Sequence, residues 1–248
     1  MRREKTIDLN SIRRKIFSLG LPVLVFALTA SASNVTSVTP PGSSTSGAVA
    51  ASATIITGLG FVNVTLTDLE INPTNVGQLL SGLSFTLSNG ATTGTLFSST
   101  GTKVTVNSGG TYSLGTSGTA GWGLKNNVSG GLQLNALGFV GPAGLILGSP
   151  GAGGTYSNAN SSIAGNSSHF LSHSVSFIID IAGVTSATTV TSSTFSFGTT
   201  PGQYLVKGCM ANDPSCGLSQ VSQVPEPVSL VLTGSGLIGL FFLRRRRA

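Results

Sequence analysis

The 248-residue sequence predicts an all-β body, an antiparallel β-sandwich-like arrangement with flexible Gly/Ser loops, carrying an apolar helix at each end. Three observations lead there. Apolar residues recur at every second position in short runs rich in Val, Ile, Thr and Phe. Clusters of Gly, Asn and Ser cut those runs apart. Between the two ends no stretch holds a long 3.6-residue period. A single face of each such strand must be buried, and packing two antiparallel faces together is the simplest way to do it.

In chain order, Arg2, Arg3, Lys5, Arg13, Arg14 and Lys15 precede an apolar run from Ile16 to Thr29. Ala30-Ser31-Ala32 follows as a small-x-small pattern. Residues 1–32 therefore read as a secretory signal peptide with its signal helix, cut after Ala32 or, alternatively, after Ala30. The apolar run of about 14 residues is short of the roughly 20 that span a bilayer. Residues 33–52 are Ser, Thr, Pro, Ala and Gly without periodicity, and read as a flexible leader.

The β-rich domain is expected over 53–220. Val62, Val64 and Leu66 alternate on one face, and Leu83-Ser84-Phe85-Thr86-Leu87, Val104-Thr105-Val106 and Leu132-Gln133-Leu134 behave alike. Val175, Phe177, Ile179 and Ile181 mark the clearest strand, followed by Phe195 and Phe197. Asn75 to Leu80, after Asn72-Pro73, can form a short helical turn. Gly151 to Ser168 offers little apolar anchorage and reads as a mobile loop.

Charge is scarce and unevenly placed. Only 8% of residues are charged, against about 25% in an average domain. From Ser33 to Val224 three lysines face four acids, a net of −1, so the formal +6 of the chain belongs to its two ends. Nucleic-acid binding needs a basic face on the folded body, and this body has none.

The C-terminal segment, 221–248, carries three features in order. Val224-Pro225-Glu226-Pro227 stays extended, because proline can neither continue a helix nor pair as a central strand. Residues 228–243 form an uncharged run able to enter a bilayer as a helix. Arg244, Arg245, Arg246 and Arg247 then stop transfer and hold that end on the cytoplasmic side. Sixteen helical residues span about 24 Å, less than a ~30 Å hydrocarbon core, which suits a transient anchor.

This order of Pro-Glu-Pro, apolar helix and arginine cluster resembles the PEP-CTERM sorting domain, over residues 224–248 only. The resemblance implies export through the secretion machinery, a transient stay in the inner membrane with the body outside, and processing by an exosortase at or near Pro225-Glu226-Pro227. It further implies a surface or extracellular-matrix destination in a biofilm-forming, exopolysaccharide-making Gram-negative-type bacterium. The alternative for the tail is a permanent anchor that is never cut.

Candidate chemistry in the body is thin. Cys209 and Cys216, the only cysteines, read as a disulfide in an exported chain; its short loop would contribute about 2 kcal/mol. His169 and His173, four apart, are half of a zinc set at most. Asp68 and Glu70 stand two apart at a strand end, whereas a glycosidase needs two carboxylates across a cleft. Gly234 to Gly239 matches G-x-G-x-x-G but lies inside the apolar run, without a Rossmann context. Trp122 could stack on a sugar ring or fill the core. The sequence thus assigns no catalytic residue, metal or cofactor. It favours a non-enzymatic matrix protein, associated with exopolysaccharide, over a secreted polysaccharide-active enzyme or a carbohydrate-binding module using Trp122, Tyr112 or Tyr156.

Overall fold

The computed structural model describes residues 33–40, 42–44, 46–165, 169–210 and 213. The chain divides into two units, Met1–Ser31 and Ala32–Ala248, and the described residues belong to the second. The expected signal peptide with Ala30 and Ala32, Cys216, Val224 to Pro227, the run 228–243 and Arg244 to Arg247 lie outside the described residues. Among the described residues no helix is long and apolar enough to cross a membrane.

The described part is mostly β-strand. It begins with β1 (Ser33–Val38), a small pair β2 (Gly42–Ser44) and β3 (Gly47–Val49), then β4 (Ala51–Gly58) and β5 (Phe61–Asp68). The last two form a hairpin whose tip, Leu59-Gly60, turns on Gly60 at φ 78°. A short 3-10 turn, Val76–Gln78, is capped by the Asn75 side chain and leads into β6 (Leu80–Leu87). There follow β7 (Thr95–Val106), β8 (Tyr112–Thr119), β9 (Gly123–Val128) and β10 (Gly131–Asn135). Ser129 and Gly130 join β9 to β10 with φ 48° and 77°, the left-handed pair that a tight hairpin turn requires. The remaining strands are β11 (Ile146–Leu147), β12 (Phe170–Asp180), β13 (Val190–Phe197), β14 (Tyr204–Lys207) and β15 (Cys209–Met210).

Thirteen strands share one sheet in the order β14-β13-β6-β11-β12-β5-β4-β1-β15, with β10 and then β9 branching from β6, and β7 and then β8 from β12. The ladders are antiparallel except β11 against β12. Gly208 alone separates β14 from β15, so the chain itself links the two ends of this path. Its amide donates to the Ser193 carbonyl, and a Cβ there would overlap the hydroxyls of Ser37 and Ser193. Only glycine fits this corner.

Alternation sets the core. Val62, Val64 and Leu66 of β5, Leu83, Phe85 and Leu87 of β6, and Val175, Phe177 and Ile179 of β12 are all buried, as are Phe195 and Phe197 of β13. Burial of each such side chain contributes about 1.5–3 kcal/mol relative to exposure.

Two expectations need correction. Residues 33–52 are not a flexible leader: β1 pairs with β4 along its whole length, from Ser33 opposite Thr57 to Val38 opposite Ser52. The inward positions there include Ser37 and Thr39, whose hydroxyls give no hydrophobic period, and Ser37 Oγ meets Ser193 Oγ at 2.5 Å. The Gly-rich stretch 151–165 is likewise tied down. Tyr156 and Ile163 are buried in the core, and the amides of Tyr156, Asn160 and Gly165 donate to the carbonyls of Gly110, Thr74 and Val106.

Candidate functional site

The end of β5 gathers most of the polar groups of interest. Asp68 is the last residue of the strand, and its position continues the inward set of Val62, Val64 and Leu66, so its carboxylate is fully buried. Two amides meet it: Glu70 N donates to Oδ1 at 3.0 Å and Leu80 N donates to Oδ2 at 3.1 Å. Loss of water raises its pKa well above the ordinary carboxylate value, and the two N–H donors oppose this without cancelling it. Glu70, half-buried two residues on, is also raised by desolvation.

Gly148 packs over this pair. A Cβ on it would overlap the Glu70 carbonyl and lie 3.2 Å from Asp68 Oδ1. The Tyr156 hydroxyl donates to the Gly148 carbonyl at 2.9 Å. Burial first, then the neighbouring Tyr112 and Asp68, push the Tyr156 hydroxyl upward in pKa. Its ring sits edge-on to Tyr112, with centroids 5.4 Å apart. No local sequence pattern brings Gly148 and Tyr156 to Asp68. Tyr156, the lone aromatic in its Gly/Ser stretch, was the available signal.

His173 comes to the same end, since its neighbour Ser174 pairs with Thr67. It occupies a bulge between β12 and β7 at φ 55°, exposed, with Nδ1 3.1 Å from Ser149 Oγ. A serine–histidine base pair needs the second ring nitrogen oriented by an acid, and among the described residues no carboxylate bonds His173. His169 is exposed and meets Thr105 Oγ1 at 2.6 Å instead. The two histidines therefore serve different hydroxyls. Among the described residues no three His, Cys, Asp or Glu side chains gather as a metal set.

The other candidates lie elsewhere. Asp180 pairs with Phe61, at the opposite end of β5 from Asp68, a separation of about 23 Å along the strand. Trp122 is buried, its indole N–H donating to the Gly144 carbonyl at 2.7 Å and its ring tilted against Phe177 at 5.2 Å. It fills the core, the alternative that the sequence offers beside stacking on a sugar ring. Cys209 is buried and disulfide-bonded. Comparison with protein-family models, curated proteins and solved structures finds no match for this chain.

Proposed function

We propose that the chain is an exported, exosortase-processed surface or extracellular-matrix protein of a biofilm-forming Gram-negative-type bacterium, with a non-enzymatic β body. In this reading a signal helix starts export and residues 228–243 hold the chain briefly as a membrane helix. An exosortase then acts at Pro225-Glu226-Pro227, and the body, an antiparallel sandwich with a Cys209–Cys216 disulfide near its end, is delivered outside. The matrix exopolysaccharide is its expected partner.

The observation that carries this reading is the order of the tail: Pro-Glu-Pro, sixteen uncharged residues, four arginines. The body adds support of a different kind. A glycosidase needs two carboxyl groups within about 5–9.5 Å of one another across a cleft. Asp68 is buried under Gly148, and Asp180 stands at the far end of the same strand pair. The secreted-enzyme alternative is left with Asp68 beside Glu70, and of that pair Asp68 is fully buried.

Blocking the sorting motif tests the proposal. The variant Pro225→Ala/Glu226→Ala/Pro227→Ala, expressed in an exosortase-containing host, should accumulate in the membrane fraction while the unaltered chain leaves it. Equal distribution of the two chains would overturn exosortase processing at this motif.

A further inference from the structure

The outward face of the sheet carries a regular feature that strand pairing alone creates. Thr36 of β1 stands opposite Thr54 of β4, which stands opposite Thr65 of β5. Thr65 faces Ser176 of β12, Ser176 faces Thr100 of β7, and Thr100 faces Thr119 of β8. Six neighbouring strands thus contribute one hydroxyl residue each to a single row. With strands about 4.8 Å apart, the row runs for about 24 Å. None of the six residues is buried, and four (Thr65, Ser176, Thr100 and Thr119) are exposed.

The hydroxyls are available. Thr65 and Ser176 touch at 3.3 Å, but among the described residues the other four side chains make no hydrogen bond. Elsewhere the protein satisfies such groups internally: Thr86 Oγ1 meets Thr191 Oγ1 at 2.6 Å and Ser192 Oγ at 2.7 Å. One position along the strands on the same face, Ser52, Thr67 and Ser174 extend the array. On the other side Ile56 and Ile178 flank Asn63, half-buried and apolar. No residue of the row or of these flanks is charged.

We propose that this face binds an uncharged polysaccharide chain lying across the strands. A hydroxyl both donates and accepts, as do the hydroxyls of a sugar. The strand spacing is comparable to the length of one sugar ring in an extended chain, so successive rings meet successive side chains. The apolar ring faces suit Ile56 and Ile178. An uncharged face offers a polyanion neither steering nor pairing. Each hydrogen bond contributes little by itself, so affinity grows with the number of rings engaged. The inference rests on the matrix reading for its setting and adds to it the surface and the chemical class of the partner.

The test is affinity electrophoresis of the full chain in mild detergent through gels containing hydroxyethyl cellulose, dextran or galactomannan, with alginate as the anionic comparison. At least one neutral polymer should retard the chain and alginate should not. The variant Thr65→Val/Ser176→Ala/Thr100→Val, which keeps strand-compatible shapes, should bind at least tenfold more weakly with an unchanged thermal transition. The remote pair Thr199→Val/Thr200→Val should bind as the unaltered chain does. If the triple variant melts early, Thr65→Val and Thr100→Val are measured singly, each with a several-fold loss expected. Retardation by no neutral polymer, by alginate alone, or equally by the row variants would overturn the proposal. Loss of binding by a chain that is still released from cells removes this surface alone, whereas binding by a chain that is never exported removes the delivery reading alone.

Discussion

Asp68 is a carboxyl group held where a charge is costly, and its titration has a definite sign. Unfolded, it titrates near its ordinary 3.8; folded, well above that. Between the two values the folded chain holds more protons than the unfolded one, so stability falls as pH rises. The contribution is complete below the unfolded value and is lost as pH climbs through the folded one. Glu70 shifts in the same direction, with a smaller effect because it is only half-buried. In Asp68→Asn the amide cannot ionise, and its NH2 group faces one of the two N–H donors. This variant should be less stable than the unaltered chain by about 1–2 kcal/mol at pH 4. The gap should narrow toward pH 7, as followed by chemical denaturation across that range. A gap independent of pH would contradict the buried, proton-holding account of Asp68.

At the scale of elements, the stretch 151–165 shows how a few contacts fix a Gly-rich segment. Tyr156 is its main anchor, buried among core residues and hydrogen-bonded to Gly148. Tyr156→Phe should cost about 1–2 kcal/mol, since it leaves the Gly148 carbonyl without that donor while retaining the ring. Limited proteolysis should then cut within 151–165 faster than in the unaltered chain; an unchanged cleavage rate would show that the hydroxyl does not secure the segment. The same scale explains which strands were legible. β5 and β12 bury Val62, Val64, Leu66, Val175, Phe177 and Ile179 at alternate positions around exposed Asn63, Thr65 and Ser176, and the sequence displays that contrast; in β13 the signal is the spacing of Phe195 and Phe197 alone, since Ser196 between them is buried too. β8 is exposed at all eight positions, so it has no contrast to display. β1 turns Ser37 inward, where its hydroxyl is satisfied by Ser193 across the fold. Its burial depends on a residue 156 positions away, which no local pattern reveals. The Asp68 cluster was hidden for the same reason: Gly148 and Tyr156 come to it from distant loops.

For the whole molecule, the two ends of the chain carry the basic charge and the body carries almost none. That division suits a device in which the ends direct transport and the body forms the delivered product. The body's polar groups serve one another at the Asp68 end, Trp122 is in the core, and Gly208 lets the chain pass between the two ends of the sheet path. The outward row of hydroxyls presents further polar groups on the sheet. The central claim is that the body is released by cleavage of the tail. It is tested most directly by the intact mass of the mature protein in membrane and extracellular fractions of its native host. The account predicts an extracellular species that ends near residue 225 and lacks the four arginines, with hexose-sized increments if its hydroxyls are glycosylated. A membrane-bound species still ending at Ala248, with none in the medium, would contradict it and make the tail a permanent anchor.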